Sequence, residues 1–274
     1  MSPTGPGLWS LSLDPRPTIA ILGQGRFGRT LAPLLVARGY TVKTWRRGEP
    51  FPDCDLAWIT VSDAAVAEVA RALPVGPIVL HASGALDTEV LAPHVRRGSL
   101  HPIQSFPGPE RATPPLEGVP AGLAGHPDAV RAGREIALSL GMAPFDVPGD
   151  RRLYHAAAVL AGNFATTLLD AAARALAGAG APDAAKLLAP LALASIRQTA
   201  ELGFEGGLTG PFARGDAGVV AGHLAALQDL DPQLATLYRA LGQATLDRMA
   251  EGPRSPGTLD ALGRALQEKS SHDE

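Results

Sequence analysis

A five-residue apolar strand that runs into a cluster of glycines and then into a helical pattern constrains this chain more than any other feature. Thr18–Leu22 reads TIAIL, a short apolar run after its threonine and rich in β-branched residues, as a buried strand is. Gly23-Gln24-Gly25-Arg26-Phe27-Gly28 follows, and a helical pattern extends over 26–38 until Gly39 stops it. A G-x-G-x-x-G is a weak signal alone. Leaving a strand and opening a helix, it stands in the context that dinucleotide phosphates require. Gly23 permits the tight turn, Gly25 lets a pyrophosphate approach the backbone, and Gly28 lets helix and strand pack closely. The helix start then offers unpaired N–H groups to the phosphates. The alternative is a glycine-rich turn that holds no ligand.

The same alternation continues down the chain. Strands are expected at Thr41–Trp45, 55–61, 77–81, 98–101, 121–124 and 143–147. Ser62 or Asp63 is placed to cap a helix running to about Leu73, and a further helix lies between the last two strands. Strands alternating with helices predict a parallel sheet with helices on both faces. The pattern changes near Pro148. Beyond it the chain reads as Ala-rich helices at about 150–178, 183–203, 215–228, 231–250 and 257–267. The expected fold is an α/β Rossmann-type parallel-sheet domain over residues 17–148, then an all-helical substrate or dimerisation domain over 149–274, with residues 1–16 a loose leader.

Composition narrows the function classes. The formal net charge is −3, so no basic field points to nucleic acid or a membrane surface. Cys54 is the single cysteine, which excludes an intrachain disulfide and a cysteine-built zinc site, and no metal is expected. No run of consecutive apolar residues approaches the roughly 18 needed to span a bilayer, and the first sixteen residues do not read as a signal peptide. These readings together predict a cytoplasmic protein acting on a small molecule.

The residues after the second strand select between cofactors. An acid there would bind the ribose hydroxyls of NAD. This chain has Trp45-Arg46-Arg47, with no acid until Glu49. Two guanidinium groups suit a 2′-phosphate and the indole of Trp45 could lie on adenine, so NADP(H) is the predicted cofactor. Ordinary solvated charge is the competing reading of the arginines. Val61 and Ser62, after the third strand, would also border the nucleotide. Ser62 or Asp63 could equally do no more than cap a helix.

Candidate chemistry lies in loops at strand ends. Ser83, after the fourth strand, could bond the nicotinamide or a substrate oxygen, or merely make a turn. His101, followed by Pro102, is a candidate acid/base group or a structural histidine. On the helix expected over 150–178, Arg152, His155, Asn163, Thr166 and Asp170 fall within an arc of roughly 80° at about 100° per residue. The remainder is nearly all apolar, so the stripe faces a cleft, a partner or solvent. Asn163 is the only asparagine in the chain. In the segment 207–216, Thr209 and Arg214 could bind an anionic group, and Asp216 is placed to cap the next helix.

Together the glycine fingerprint, SLHPIQSF, YHAAAVLAGNF and LTGPFARGD resemble a bacterial family of Rossmann-like proteins whose C-terminal domain has no known function. The likeness extends from about Pro17 to Arg264. More distantly the chain resembles the superfamily of 6-phosphogluconate dehydrogenase, ketopantoate reductase, pyrroline-5-carboxylate reductase and prephenate dehydrogenase. That resemblance implies an NADP-binding domain, a helical domain that makes a homodimer, and a cleft site between them. In its hydroxyacid branch a catalytic lysine precedes an asparagine by four residues; Asn163 matches the asparagine, but Val159 stands at the lysine position. His101-Pro102 is more similar to prephenate dehydrogenase, where such a histidine handles the substrate hydroxyl. The expected function is an NADP(H)-dependent oxidoreductase for a small, anionic carbonyl, hydroxyl or imine compound. His101 or His155 would trade the proton, and Asn163, Ser83, Thr166, Thr209 and Arg214 would position the substrate. The missing lysine motivates the rival: a non-catalytic NADP(H)-binding sensor or partner protein.

Overall fold

The computed structural model describes residues 16–108, 110–111, 115–147 and 149–267. The expected leader lies almost wholly outside them. Contacts divide the chain into two compact units, Met1–Gly162 and Asn163–Glu274.

The first unit is built on a sheet of seven strands among the described residues: β1 Thr18–Leu22, β2 Thr41–Trp45, β3 Leu56–Ile59, β4 Ile78–His81, β5 Arg97–Pro102, β6 Pro120–Gly125 and β7 Ala143–Asp146. Their spatial order is β2-β1-β3-β4-β5-β6-β7. Period-two alternation sends Ile19, Ile21, Trp58, Leu80 and Leu100 into one apolar layer. Ala20, Leu22, Ala57, Ile59 and Val79 go into the other. The helices covering these faces include α1 Arg26–Ala37, α2 Asp63–Ala72 and α3 Pro127–Ser139. The chain order reverses at β1, between β2 and β3. This is the switch point where open sheets of this type place ligands, outside the carboxyl ends of the strands.

One expectation is corrected. β5 and β6 pair antiparallel, so β6 and β7 run against the rest. A parallel return needs a crossover long enough to recross the sheet, usually a helix. The connection after β5 holds Pro107, Pro109, Pro114 and Pro115, and no helix forms among its described residues. The chain therefore turns straight back.

The helical stretch expected over 150–178 is also interrupted. α4 Arg151–Ala161 ends at Gly162, whose φ of −104° is more extended than a helix interior holds, and α5 Asn163–Gly178 begins anew. Asp150 caps α4, its carboxylate accepting from the Arg152 amide at 2.8 Å. Taken together, Arg151–Gly178 has the length and composition to cross a membrane, with mean hydropathy 1.3. Isolated polar residues interrupt the stretch, so it contains no unbroken apolar run of that length.

The second unit continues with α6 Ala184–Gly207, α7 Gly210–Arg214, α8 Ala217–Leu230, α9 Pro232–Ala250 and α10 Pro256–Gln267. α6 kinks at Gly203, where φ is +71°. Its core joins Val220 and Leu224 to Leu246, Met249, Leu262 and Leu266, so it belongs to α8, α9 and α10. Of α6, Phe204 packs against this core. On α6, Leu187, Leu191, Leu193, Ile196 and Leu202 are 56–65% exposed.

Candidate functional site

Two constellations stand at the carboxyl edge of the sheet. The first is the glycine turn after β1. Gly23 has φ +132°, and a Cβ there would lie 2.8 Å from the Thr60 carbonyl carbon. At Gly28 a Cβ would lie 2.2 Å from the Gly23 carbonyl oxygen and 2.6 Å from Thr60 Oγ1. Thr60 Oγ1 itself donates to the Gly23 carbonyl at 3.1 Å. Packing thus accounts for these two glycines. It does not account for Gly25, where a Cβ would meet nothing nearer than the Thr60 carbonyl oxygen at 4.0 Å. Gly25 is the N-cap of α1, no side chain caps the helix, and its first turn holds no acid. Gln24 Nε2 is buried without a partner among the described residues. Open space, uncapped amides and an orphaned donor fit a dinucleotide phosphate held by Gly25, Arg26 and Gln24.

The other expected nucleotide contacts fare differently. Trp45 is buried, its indole stacked on Phe51 at 4.7 Å and 12° with Nε1 donating to the Glu49 carbonyl. Core packing therefore claims the ring that was expected on adenine. The Phe27 ring packs edge-on to Trp58 and against Phe106, so only its backbone remains for a ligand. Arg46 makes no side-chain hydrogen bond or ion pair among the described residues, whereas Arg47 lies 3.5 Å from the Glu68 carboxylate, both exposed. Val61 is half-buried. Ser62 is exposed at the N-cap position of α2, where its side chain makes no capping bond.

The second constellation gathers His81, Ser83, Gly84, His101, Arg151, Tyr154 and His155. β4 ends in His81, which lies in register with Ser99 of β5. His101 follows two residues on, facing the same side. From α4, Arg151, Tyr154 and His155 share one helix face at spacings of three and four residues. Arg151 is 6% exposed; its guanidinium donates to Ser99 Oγ at 2.9 Å and to the Ser83 carbonyl at 2.8 Å. No carboxylate pairs with it among the described residues, and its Nε has no partner. The neighbouring Arg152 points outward and pairs with Asp150, which removes it from the polar stripe expected on this helix. Tyr154 Oη and His101 Nδ1 are 2.7 Å apart, and the His101 and His155 rings are 6.3 Å apart. Gly84 and Gly122 leave room for this arrangement. A Cβ on Gly84 would lie 2.7 Å from His155 and 2.8 Å from His101, and one on Gly122 would lie 2.6 Å from Tyr154 Oη.

Ser83 makes the turn that was the alternative to ligand binding, its Oγ accepting from the Ala85 and Leu86 amides at 3.1 Å. Asn163, Thr166, Thr209 and Arg214 belong to the second unit. Asn163 and Thr209 are exposed, and Arg214 is already engaged by the Asp216 carboxylate at 3.0 Å. That pairing draws Asp216 away from the capping bond expected of it. Sequence reading missed Arg151 and Tyr154 as site residues. The available signal was two adjacent arginines opening an apolar helix, of which only one can face solvent.

Burial and charge hold the histidines neutral. His81 is fully buried, and only the Ser83 backbone, too poorly aligned to count as a hydrogen bond, lies close enough to its ring to favour the charged form. Burial, then the charges of Arg151 and His101, lower its pKa from 6.5 to about 3. Burial also lowers His101 to about 4, with His155 and Arg151 acting in the same direction and Asp63 against it. The unfolded chain therefore takes up protons below about pH 6.5 that the folded unit refuses. Stability is full above that pH and is lost as pH falls toward 4 and then 3, by an amount on the order of several kcal/mol. We expect the urea midpoint to drop steadily from pH 6.5 to 4 and the drop to shrink in His81→Leu. A midpoint flat across that window would contradict the assignment of two neutral buried histidines.

Comparisons with known proteins agree with this fold. The domain of unknown function DUF2520 matches residues 119–245. The matched stretch takes in the last two strands of the sheet and most of the helical unit. A glycerol-3-phosphate dehydrogenase [NAD(P)+] from Gloeobacter violaceus is 33% identical over 132 residues, 42% of this chain and 43% of that protein. The chain thus spans less than half the length of the curated relatives it matches. Among solved structures, a provisionally named NADP oxidoreductase from Bacteroides fragilis superposes with TM-score 0.70 at 23% identity, over 84% of this chain and 98% of that one. An imine reductase from a Pseudomonas species superposes with TM-score 0.60 at 19% identity, over 92% and 99%. At such identities the structural likeness shows the fold.

Proposed function

We propose that this protein is an NADP(H)-dependent oxidoreductase that moves a hydride to or from a small, anionic carbonyl, hydroxyl or imine compound. The observation that carries the reading is the glycine turn, where Gly25 alone of the three motif glycines has no packing reason to be glycine. The names of the relatives, dehydrogenases and an imine reductase, support the same reaction class. Arg46, free of side-chain partners among the described residues, favours the 2′-phosphate and hence NADP(H) over NAD(H). The nicotinamide, when bound, supplies or accepts the hydride. The chain's own residues handle the proton and the substrate's charge. His101, neutral at physiological pH, is the group that exchanges a proton with the substrate oxygen or nitrogen. Arg151, a buried cation without a carboxylate partner among the described residues, supplies the positive field that suits an acidic substrate.

The test is NADPH oxidation against a broad panel of keto acids and imines. Turnover of one class supports the reading. Tight NADPH binding with no turnover of any member would identify a non-catalytic NADP(H)-binding protein instead, the reading that Val159 in place of a lysine motivates.

We place the protein in the cytoplasm and propose that it works as a homodimer joined through the helical unit. The exposed apolar side chains spread around α6 support the second point, since monomers rarely leave so many large apolar side chains of one helix in water. A cavity of ≈ 770 Å³ lined by Leu168, Leu176, Leu188, Leu227, Leu234 and Tyr238 adds a second apolar surface on the same unit. Sedimentation equilibrium should give twice the chain mass, and Leu191→Glu with Ile196→Glu should shift it toward the single chain. A monomer in the unaltered protein would contradict the proposal.

A further inference from the structure

We propose that Tyr154 and His101 form a two-step proton relay, with Tyr154 as the positioning residue behind His101 and Arg151 as the cation that steadies the tyrosine when it gives up its proton. The inference rests on the oxidoreductase reading and supplies what the absent lysine leaves open, the source of the proton.

The direction of the hydrogen bond follows from which partner carries the proton. Tyr154 Oη has one hydrogen-bond partner among the described residues, His101 Nδ1 at 2.7 Å. A half-buried phenol, its pKa raised by burial, keeps its proton and must place it. It therefore donates to Nδ1, which leaves the single proton of the neutral imidazole on Nε2. The two rings stand edge to face at 85°, their centroids 5.6 Å apart, so the phenol is held by the ring contact as well as by the bond. Gly122 makes space for Oη and Gly84 for the imidazole edge. The fixed tautomer is thus the product of residues from β5, β6 and the start of α4.

The consequence is a balanced proton transfer. As the substrate carbon is reduced, the His101 Nε2–H bond breaks and a new O–H or N–H bond forms on the substrate. Nδ1 then takes the Tyr154 proton, so imidazole remains neutral and the negative charge comes to rest on the phenolate. Arg151 lies with its guanidinium carbon 5.9 Å from the Tyr154 ring centroid. Its charge favours the phenolate, opposing the effect of burial. Solvent returns the proton between turnovers. Oxidation runs the same transfers in reverse. A neutral imidazole without such a donor behind it is a poor acid; with one, it passes a proton without itself becoming charged. His155, Arg151 and Asp63 are the charged or titratable groups that bear on His101, and two of the three disfavour the imidazolium.

The experiment has one arm that needs no turnover. In protein labelled with 15N-histidine, His101 should show a protonated Nε2 and a bare Nδ1 near pH 7, and Tyr154→Phe should move it to a mixture of tautomers. Tyrosine labelled at Cζ should show the Tyr154 pKa rising in Arg151→Met. A second arm uses any substrate that is turned over. Tyr154→Phe should lower kcat roughly 10- to 100-fold with KM little changed. A curved proton inventory in the unaltered enzyme should become linear. Protonated Nδ1 in the unaltered protein, or kcat within twofold in Tyr154→Phe, would overturn the relay. The expected tautomer in a protein that turns over nothing would leave the hydrogen-bond assignment standing and refute the oxidoreductase reading instead.

Discussion

Gly25→Ala is expected to leave a folded protein that no longer holds a nucleotide. The backbone at Gly25 has φ −70° and ψ −177°, which alanine adopts without strain, and the added methyl would meet nothing nearer than 4.0 Å. The cost in stability is that of a poorer N-cap, about 1 kcal/mol or less. The same methyl occupies the space a pyrophosphate needs in order to reach the first-turn amides. Losing charge-assisted bonds there should weaken NADPH at least about 10-fold. Gly28→Ala makes the contrast. Its methyl would lie 2.2 Å from the Gly23 carbonyl oxygen, a rigid backbone atom. Overpacking of that kind costs about 1–3 kcal/mol or more, so this variant loses stability along with binding. Chemical denaturation and nicotinamide fluorescence on both variants check the pair. Undiminished NADPH affinity in Gly25→Ala would mean that the turn is structural only.

His101→Gln is expected to lower turnover by roughly 10²- to 10⁴-fold while NADPH binding changes little. Glutamine keeps a polar group of similar reach yet cannot relay a proton between two atoms. His155→Gln should fall less than about 10-fold, because His155 makes no hydrogen bond to His101 or Tyr154 among the described residues, its ring lying 6.3 Å from that of His101. The pH dependence separates these roles further. His101 is lowered to about 4, so its working neutral form is complete from about pH 5 upward, and the rate should carry no ionisation of His101 between pH 5 and 8. Unimpaired turnover in the double variant His101→Gln, His155→Gln would remove the histidines from the chemistry altogether.

Much of the first unit was legible because its signals are local. A buried parallel strand is apolar on both faces, and TIAIL, LAWI and IVLH are so but for Thr18 and His81 at their ends. The glycine turn carries its own geometry. The antiparallel β5–β6 pairing was not legible in the alternation rule, because that rule counts elements and the proline-rich connection supplies none. The break at Gly162 escaped because one glycine is tolerated within many helices, at a cost of about 1 kcal/mol. Of the site, His101 and His155 could be read from the sequence as rare polar groups at a strand end and on an apolar helix. Trp45 misled because an aromatic next to two arginines suggests a nucleotide, while its burial depends on Phe51, six residues away. Arg151 and Tyr154 became visible only in three dimensions, since their partners Ser83, Ser99 and His101 lie 68, 52 and 53 residues distant.

The most direct measurement of the central claim is a titration of the purified protein with NADPH and with NADH, following nicotinamide fluorescence, and its repetition with Arg46→Ala and Arg47→Ala combined. The account predicts NADPH binding in the micromolar range, NADH binding much weaker, and a loss of roughly 10- to 100-fold for NADPH alone in the double variant. Binding of neither nucleotide would contradict it, and would leave a Rossmann-type sheet whose glycine turn serves only the fold.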